Sequence, residues 1–142
     1  MIRDAGIDDI PAIVEMGARM AVKAKLDAHV GYDKDSVANT LEFLINSPDG
    51  ILICDDDGMI GGLCYPHLFN HTVKIGQELF WYSEAKCGLA LLAAAEAKAR
   101  ELGASHWVMA LQESMRPEAV GRYYSRRGYS PLERSYIKGL VI

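Results

Sequence analysis

A tyrosine set just ahead of a helix stop is the side chain here best suited to moving a proton. Residues 120–129 read Val-Gly-Arg-Tyr-Tyr-Ser-Arg-Arg-Gly-Tyr. Tyr123 and Tyr124 close a helix-length pattern, and Gly128, four residues past Tyr124, is the stop before an aromatic strand. A phenol at such a helix end can donate with an ordinary pKa near ~10, or its ring can simply pack. Gly88 is a second candidate, ahead of the helix-rich run 89–102. The first turn of a helix presents unpaired N–H groups with the positive end of the dipole behind them, and glycine lets backbone approach a pyrophosphate. Gly88 also reads as a small residue where a strand meets a helix. Glu78 opens the run Glu-Leu-Phe-Trp-Tyr at 78–82 and is the first carboxylate to consider as a base, with Glu84 and Glu113 as alternatives. His67 and His71 sit in a loop, where they could line a pocket, act as base, or be solvated. Cys54, Cys64 and Cys87 are odd in number and lack C-x-x-C spacing, so they read as reduced thiols and no metal site is expected. Cys87, at a helix start, could have a lowered pKa, with packing as the other reading.

The elements that position these groups follow from periodicity and punctuation. Asp8 or Asp9 caps a first helix with Pro11 in its first turn, and Ile10, Ile13, Val14, Gly17 and Met20 share its face. A second helix starts near Asp35, buries Val37, Leu41, Leu44 and Ile45, and ends at Ser47-Pro48-Asp49-Gly50. The apolar runs 51–54 and 59–65 flank Asp-Asp-Asp-Gly and predict a hairpin. Residues 66–72 read as a loop, 75–83 as a central strand, and 88–102 as the firmest helix, stopped by Gly103. A strand at 107–111, a helix at 116–127 and closing strands at 129–132 and 135–138 complete the order β-α-α-β-β-β-α-β-α-β-β.

Composition sets the outer limits. Half of the 142 residues are hydrophobic, so residues 1–142 form one domain able to bury roughly 68–70% of its unfolded surface. Net charge is −4, with Lys and Arg spread along the chain, which argues against nucleic acid as a partner. No stretch approaches the ~20 apolar residues of a membrane span, and the first residues carry no export signal. A cytoplasmic location is the expectation.

These motifs resemble the GCN5-related N-acetyltransferase (GNAT) family. Tyr124 and Gly128 fit its F/L-Y-x-x-x-G-F/Y signature. Leu91-Leu92, Glu96 and 99–104 (Ala-Arg-Glu-Leu-Gly-Ala) fit its coenzyme-binding helix, and Ile2-Arg3-Asp4-Ala5 with Asp8-Asp9-Ile10-Pro11 is a common opening. The element order agrees from about Ile2 to Lys138. The resemblance implies an α/β (α+β) fold with a mixed, mainly antiparallel sheet of about six to seven strands and helices on both faces. It implies acetyl-CoA as cosubstrate and direct attack by a primary amine, small molecule or peptide. By that resemblance Tyr124 protonates the departing thiolate and main-chain N–H groups of Phe80, Trp81 and Tyr82 polarise the carbonyl. The amine proton needs a base, and Glu78, acting through water, is the first choice for it, with Glu84 and Glu113 still open. Lys86, Cys87, Gly88 and Leu89 border the pyrophosphate. Aligning the leucine pair puts Gly88 on the last glycine of the family's Q/R-x-x-G-x-G/A pattern, with Lys86 on the inner glycine and Ser83 on the leading Q/R, in a shortened loop. A non-catalytic member that binds a partner protein or coenzyme A is the alternative. The acceptor would meet the loop 25–34, with Asp27, His29, Tyr32 and Asp33, and a homodimer is an assembly the family uses.

Overall fold

In the computed structural model, which describes residues 1–140, the chain builds one five-stranded sheet in the order β1-β2-β3-β4-β5. The strands are β1 (Arg3–Asp4), β2 (Gly50–Asp55), β3 (Gly58–His67), β4 (Asn70–Ser83) and β5 (His106–Val108). Neighbours are antiparallel except β4 and β5, which are parallel. The helices are α1 (Ile10–Lys23), α2 (Lys34–Asn46), α3 (Gly88–Glu101) and α4 (Pro117–Arg126).

Strand alternation divides the core between the two faces. Leu52 and Cys54 of β2 pack with Ile13, Val14, Leu41 and Leu44 of α1 and α2. Ile51 and Ile53, one residue out of step, pack with Leu91, Leu92 and Ala95 of α3. Leu91, Leu92, Ala95 and Ala99 are the buried stripe of α3, and the two leucines are fully hidden. Burial of that kind is worth about 1.5–3 kcal/mol per leucine, which fixes α3 against the sheet and with it the turn that starts the helix.

Three expectations change. The sheet has five strands rather than six to seven, because 129–132 and 135–138 are irregular. Pro131 cannot donate to a ladder, and Leu132, Tyr136 and Ile137 are exposed instead of covered by a neighbour. The loop 66–72 shrinks to the turn Leu68-Phe69, so His67 and His71 are strand residues. The strand at 107–111 stops at Val108, since the main chain of Ala110 is engaged by side chains.

Candidate active site

The site is made where β4 and β5 part. Their parallel ladder covers only Ile75 to Gln77 on β4 and His106 to Val108 on β5. Beyond Gln77 the edge of β4 facing β5 has no ladder partner, so its main-chain N–H groups there are free of the sheet. On the other edge the register slips between Gly61 and Gly62 of β3, which pair with Phe80 and Glu78, leaving Leu79 as the extra residue of a bulge. Both glycines are there for close approach. A Cβ on Gly61 would lie 2.3 Å from the Phe80 ring, and one on Gly62 would lie 2.5 Å from Trp107.

Glu78 stands at this parting, 8% exposed. Its Oε1 accepts the Ala110 N–H at 3.2 Å. Burial pushes its carboxyl up to about 7, against the smaller opposing effect of that N–H. At neutral pH it is therefore divided between acid and carboxylate. Tyr124 reaches the same residue from α4, its hydroxyl donating to the Ala110 carbonyl at 2.7 Å. The Tyr124 ring stacks on Trp81, centroids 6.2 Å apart at 27°, and meets Tyr129 at 5.4 Å. Burial first, then the charge of Glu78, raises the Tyr124 phenol well above its ordinary value. It stays protonated across the neutral range.

The start of α3 lies at the end of the same strand. Four residues, 84–87, connect Ser83 to Gly88. Trp81 Nε1 donates to the Gly88 carbonyl at 2.9 Å, and Ser83 Oγ donates to the Ala85 carbonyl at 2.7 Å and meets Cys87 Sγ at 3.2 Å. Leu91 N–H donates to the Cys87 carbonyl, so Gly88, Leu89 and Ala90 supply the first-turn N–H groups that a helix leaves without an internal partner. A Cβ built on Gly88 would meet Ser83 Cβ at 3.4 Å and Trp81 at 3.7 Å, ordinary contacts. Packing against the strand therefore does not demand glycine at this position. Bare backbone at the positive end of a 14-residue helix, with Lys86 two residues away, fits a pyrophosphate.

The remaining candidates are separated by their partners. Glu84 receives Arg19 Nε at 2.6 Å and Arg19 Nη2 at 2.9 Å, and the guanidinium holds its carboxyl below the usual range. Such a carboxylate is a poor base. Glu113 lies at the surface beside Arg134. His71 is seven residues from Glu78 along β4, about 23 Å at strand rise, and His67 accepts the Phe69 N–H through Nδ1 at that far end. Neither histidine joins the parting. Arg127 and Tyr129 both bond Glu96, tying the end of α4 to α3. Phe80 and Tyr82 face the α1 and α2 side of the sheet, whereas Trp81 faces α3. In the loop after α1, Tyr32 donates to the Val14 carbonyl at 2.7 Å, and Asp33 caps α2. Sequence reasoning passed over Ala110 and the bulge at Leu79. The Gly61-Gly62 pair was the available signal for the bulge, since glycine inside a strand marks one.

Among the described residues no group of three or more His, Cys, Asp or Glu is arranged to hold a metal ion, and no helix is long and apolar enough to cross a membrane.

No family model and no curated protein matches the chain. Solved structures do match. The chain is similar over 99% of its length to a transcriptional regulator from Bacillus halodurans C-125, with 99% of that chain covered, a TM-score of 0.76 and 19% identity. A predicted acetyltransferase of Clostridium acetobutylicum, solved with acetyl-CoA, is similar over 99% of this chain and 96% of its own, with a TM-score of 0.74 and 12% identity. For the ribosomal-protein-alanine N-acetyltransferase of Brucella melitensis biovar Abortus 2308 both shares are 99%, the TM-score 0.67 and the identity 17%. At these identities the common property is the fold. This chain has the α+β, GNAT-like fold of the acetyltransferases, with a mixed sheet and helices on both faces.

Proposed function

We propose that the protein is an N-acetyltransferase that passes the acetyl group of acetyl-CoA to a primary amine by direct attack. The observation that carries this reading is the convergence of a buried carboxyl, Glu78, and a phenol, Tyr124, on Ala110 at the parting of β4 and β5. Acetyl-CoA supplies the acyl group as a thioester, and the reaction makes a carbon–nitrogen bond as the carbon–sulfur bond breaks. Glu78 takes the proton that the amine must lose, directly or through a water. A base near 7 suits an ammonium of pKa ~10 better than an ordinary glutamate does. Main-chain N–H groups on the open edge of β4, around Phe80 to Tyr82, face the oxygen that gains charge. Tyr124 donates to the departing sulfur.

The two groups are coupled in the useful direction. When Glu78 accepts the amine proton its negative charge is gone, and one cause of the raised Tyr124 pKa goes with it. The phenol becomes a stronger donor just after the base has acted. Gly88, Leu89 and Ala90 at the start of α3, with Lys86 and Cys87, hold the pyrophosphate in this reading.

One observation favours a second reading, a non-catalytic domain that binds a partner protein or coenzyme A. The connection into α3 is short, with Lys86 where the resemblance expects a glycine. Calorimetric titration with acetyl-CoA, followed by thiol release with a panel of amines, tests the choice. Binding with amine-dependent thiol release supports the enzyme, and no binding at near-millimolar coenzyme removes it.

A further inference from the structure

We infer that Arg19 is a positioning residue for the coenzyme's pyrophosphate, acting through a two-pronged bond that clamps the connection 84–87 to α1. This rests on the coenzyme binding proposed above. Arg19 Nε and Nη2 meet the two oxygens of the Glu84 carboxylate at 2.6 and 2.9 Å, across 65 residues of sequence. Paired bonds of this kind fix direction as well as distance.

Both jaws of the clamp are anchored. Ile13, Val14 and Met16 bury α1 in the core, and Arg19 lies about one turn past Met16. Glu84 opens the connection, where its N–H donates to the Asp57 carbonyl at 2.6 Å and its Oε2 accepts the hydroxyl of the buried Tyr82 at 3.1 Å. Lys23, the next turn of α1, stands over the Tyr82 ring at 5.3 Å. Two successive turns of α1 therefore hold the end of β4.

What the clamp sets in place is main chain without partners. Among the described residues the N–H groups of Lys86 and Cys87 make no hydrogen bond, and the first-turn groups of Gly88, Leu89 and Ala90 follow directly. Successive N–H groups of this kind bind anions, and ordering them before the ligand arrives removes an entropic cost of binding. Arg19 is engaged with Glu84, so it acts on the phosphates through the backbone that it steadies.

The test is a double-mutant cycle on acetyl-CoA affinity by calorimetry, with S-acetylpantetheine, which has the same thioester and no pyrophosphate, measured by displacement. Arg19→Met, Glu84→Gln and the double variant should each bind acetyl-CoA about fivefold more weakly, the double no worse than the singles. Affinity for S-acetylpantetheine should stay within twofold. The double variant keeps the wild-type net charge, so charge alone cannot weaken it. Tighter binding by Glu84→Gln with wild-type affinity in the double would make Arg19 a free charge for the phosphates. Equal losses on both ligands would mean general packing, and no loss on either an idle surface pair. Each of these overturns the clamp and leaves coenzyme binding standing. Wild-type protein that does not bind acetyl-CoA at near-millimolar concentration overturns the reading on which the clamp rests.

Discussion

Glu78 and Tyr124 are held by opposite sides of one residue: the N–H of Ala110 donates to the Glu78 carboxylate, and the Ala110 carbonyl accepts from the Tyr124 hydroxyl. Main-chain groups that would otherwise extend the β5 ladder thus set the separation of a carboxyl and a phenol. Each side chain closes off a buried or half-buried polar group that the parting of the strands leaves open.

The pH dependence of Glu78 follows from its burial. Its folded pKa, near 7, lies above the ordinary carboxyl value of 4.5, so the unfolded chain ionises first. Between those values the native state binds more protons, and stability contributed by neutral Glu78 falls as pH rises from about 4.5 to about 7, by roughly 3 kcal/mol in all. Glu78→Gln keeps an oxygen for the Ala110 N–H and cannot ionise. Urea unfolding at pH 5 and pH 8 should show the variant gaining on the wild type at the higher pH, and an unchanged difference would place the titration elsewhere. In the proposed reaction the wild-type kcat/KM rises through pH 7 as the base is uncovered. Glu78→Gln should lose that limb and about 10²–10⁴-fold in rate.

Tyr124→Phe separates donation from packing. The phenylalanine ring keeps the contact with Trp81 and gives up only the hydrogen bond to Ala110. The expected stability change is about 0.5–1.5 kcal/mol, the net worth of one hydrogen bond. Turnover should fall about 10²-fold or more while acetyl-CoA affinity, measured by calorimetry, stays within a few-fold. Equal losses in turnover and affinity would mean that the ring, not the hydroxyl, matters.

Legibility in the sequence varied with the kind of information each residue carries. Leu91, Leu92, Ala95 and Ala99 announce α3 because a buried stripe is written in residue type and spacing, and Gly128 announces the end of α4 because its φ of +91° is a conformation glycine adopts freely. Ala110 announces nothing, since its part is played by main-chain groups every residue has. The closing strands failed for a related reason. Residues 135–138 have side chains that suit a strand, but pairing is a property of two segments, and β5 offers only three residues of ladder. The histidines looked near the chemistry in a chain read as loop. Once β3 and β4 run to a two-residue turn, the same residues are at the far end of the sheet.

Gly88 gives the sharpest check on the start of α3. Neither its φ nor its surroundings requires glycine, because a methyl there makes only ordinary contacts with Ser83 and Trp81. Alanine favours a helix over glycine by up to ~1 kcal/mol, so Gly88→Ala should leave the melting temperature unchanged or raise it slightly. In the family it resembles, this position takes alanine as well as glycine, so one methyl leaves the first-turn N–H groups open and acetyl-CoA affinity should stay within a few-fold. Gly88→Asp keeps a helix-compatible first turn but sets a carboxylate where a pyrophosphate would approach. Acetyl-CoA affinity of that variant should fall about tenfold or more, about 1.4 kcal/mol, with no loss of fold. A lowered melting temperature in Gly88→Ala, with affinity unchanged in Gly88→Asp, would reverse the assignment and make Gly88 a packing residue between strand and helix. Thermal unfolding and calorimetry on the two variants distinguish the readings.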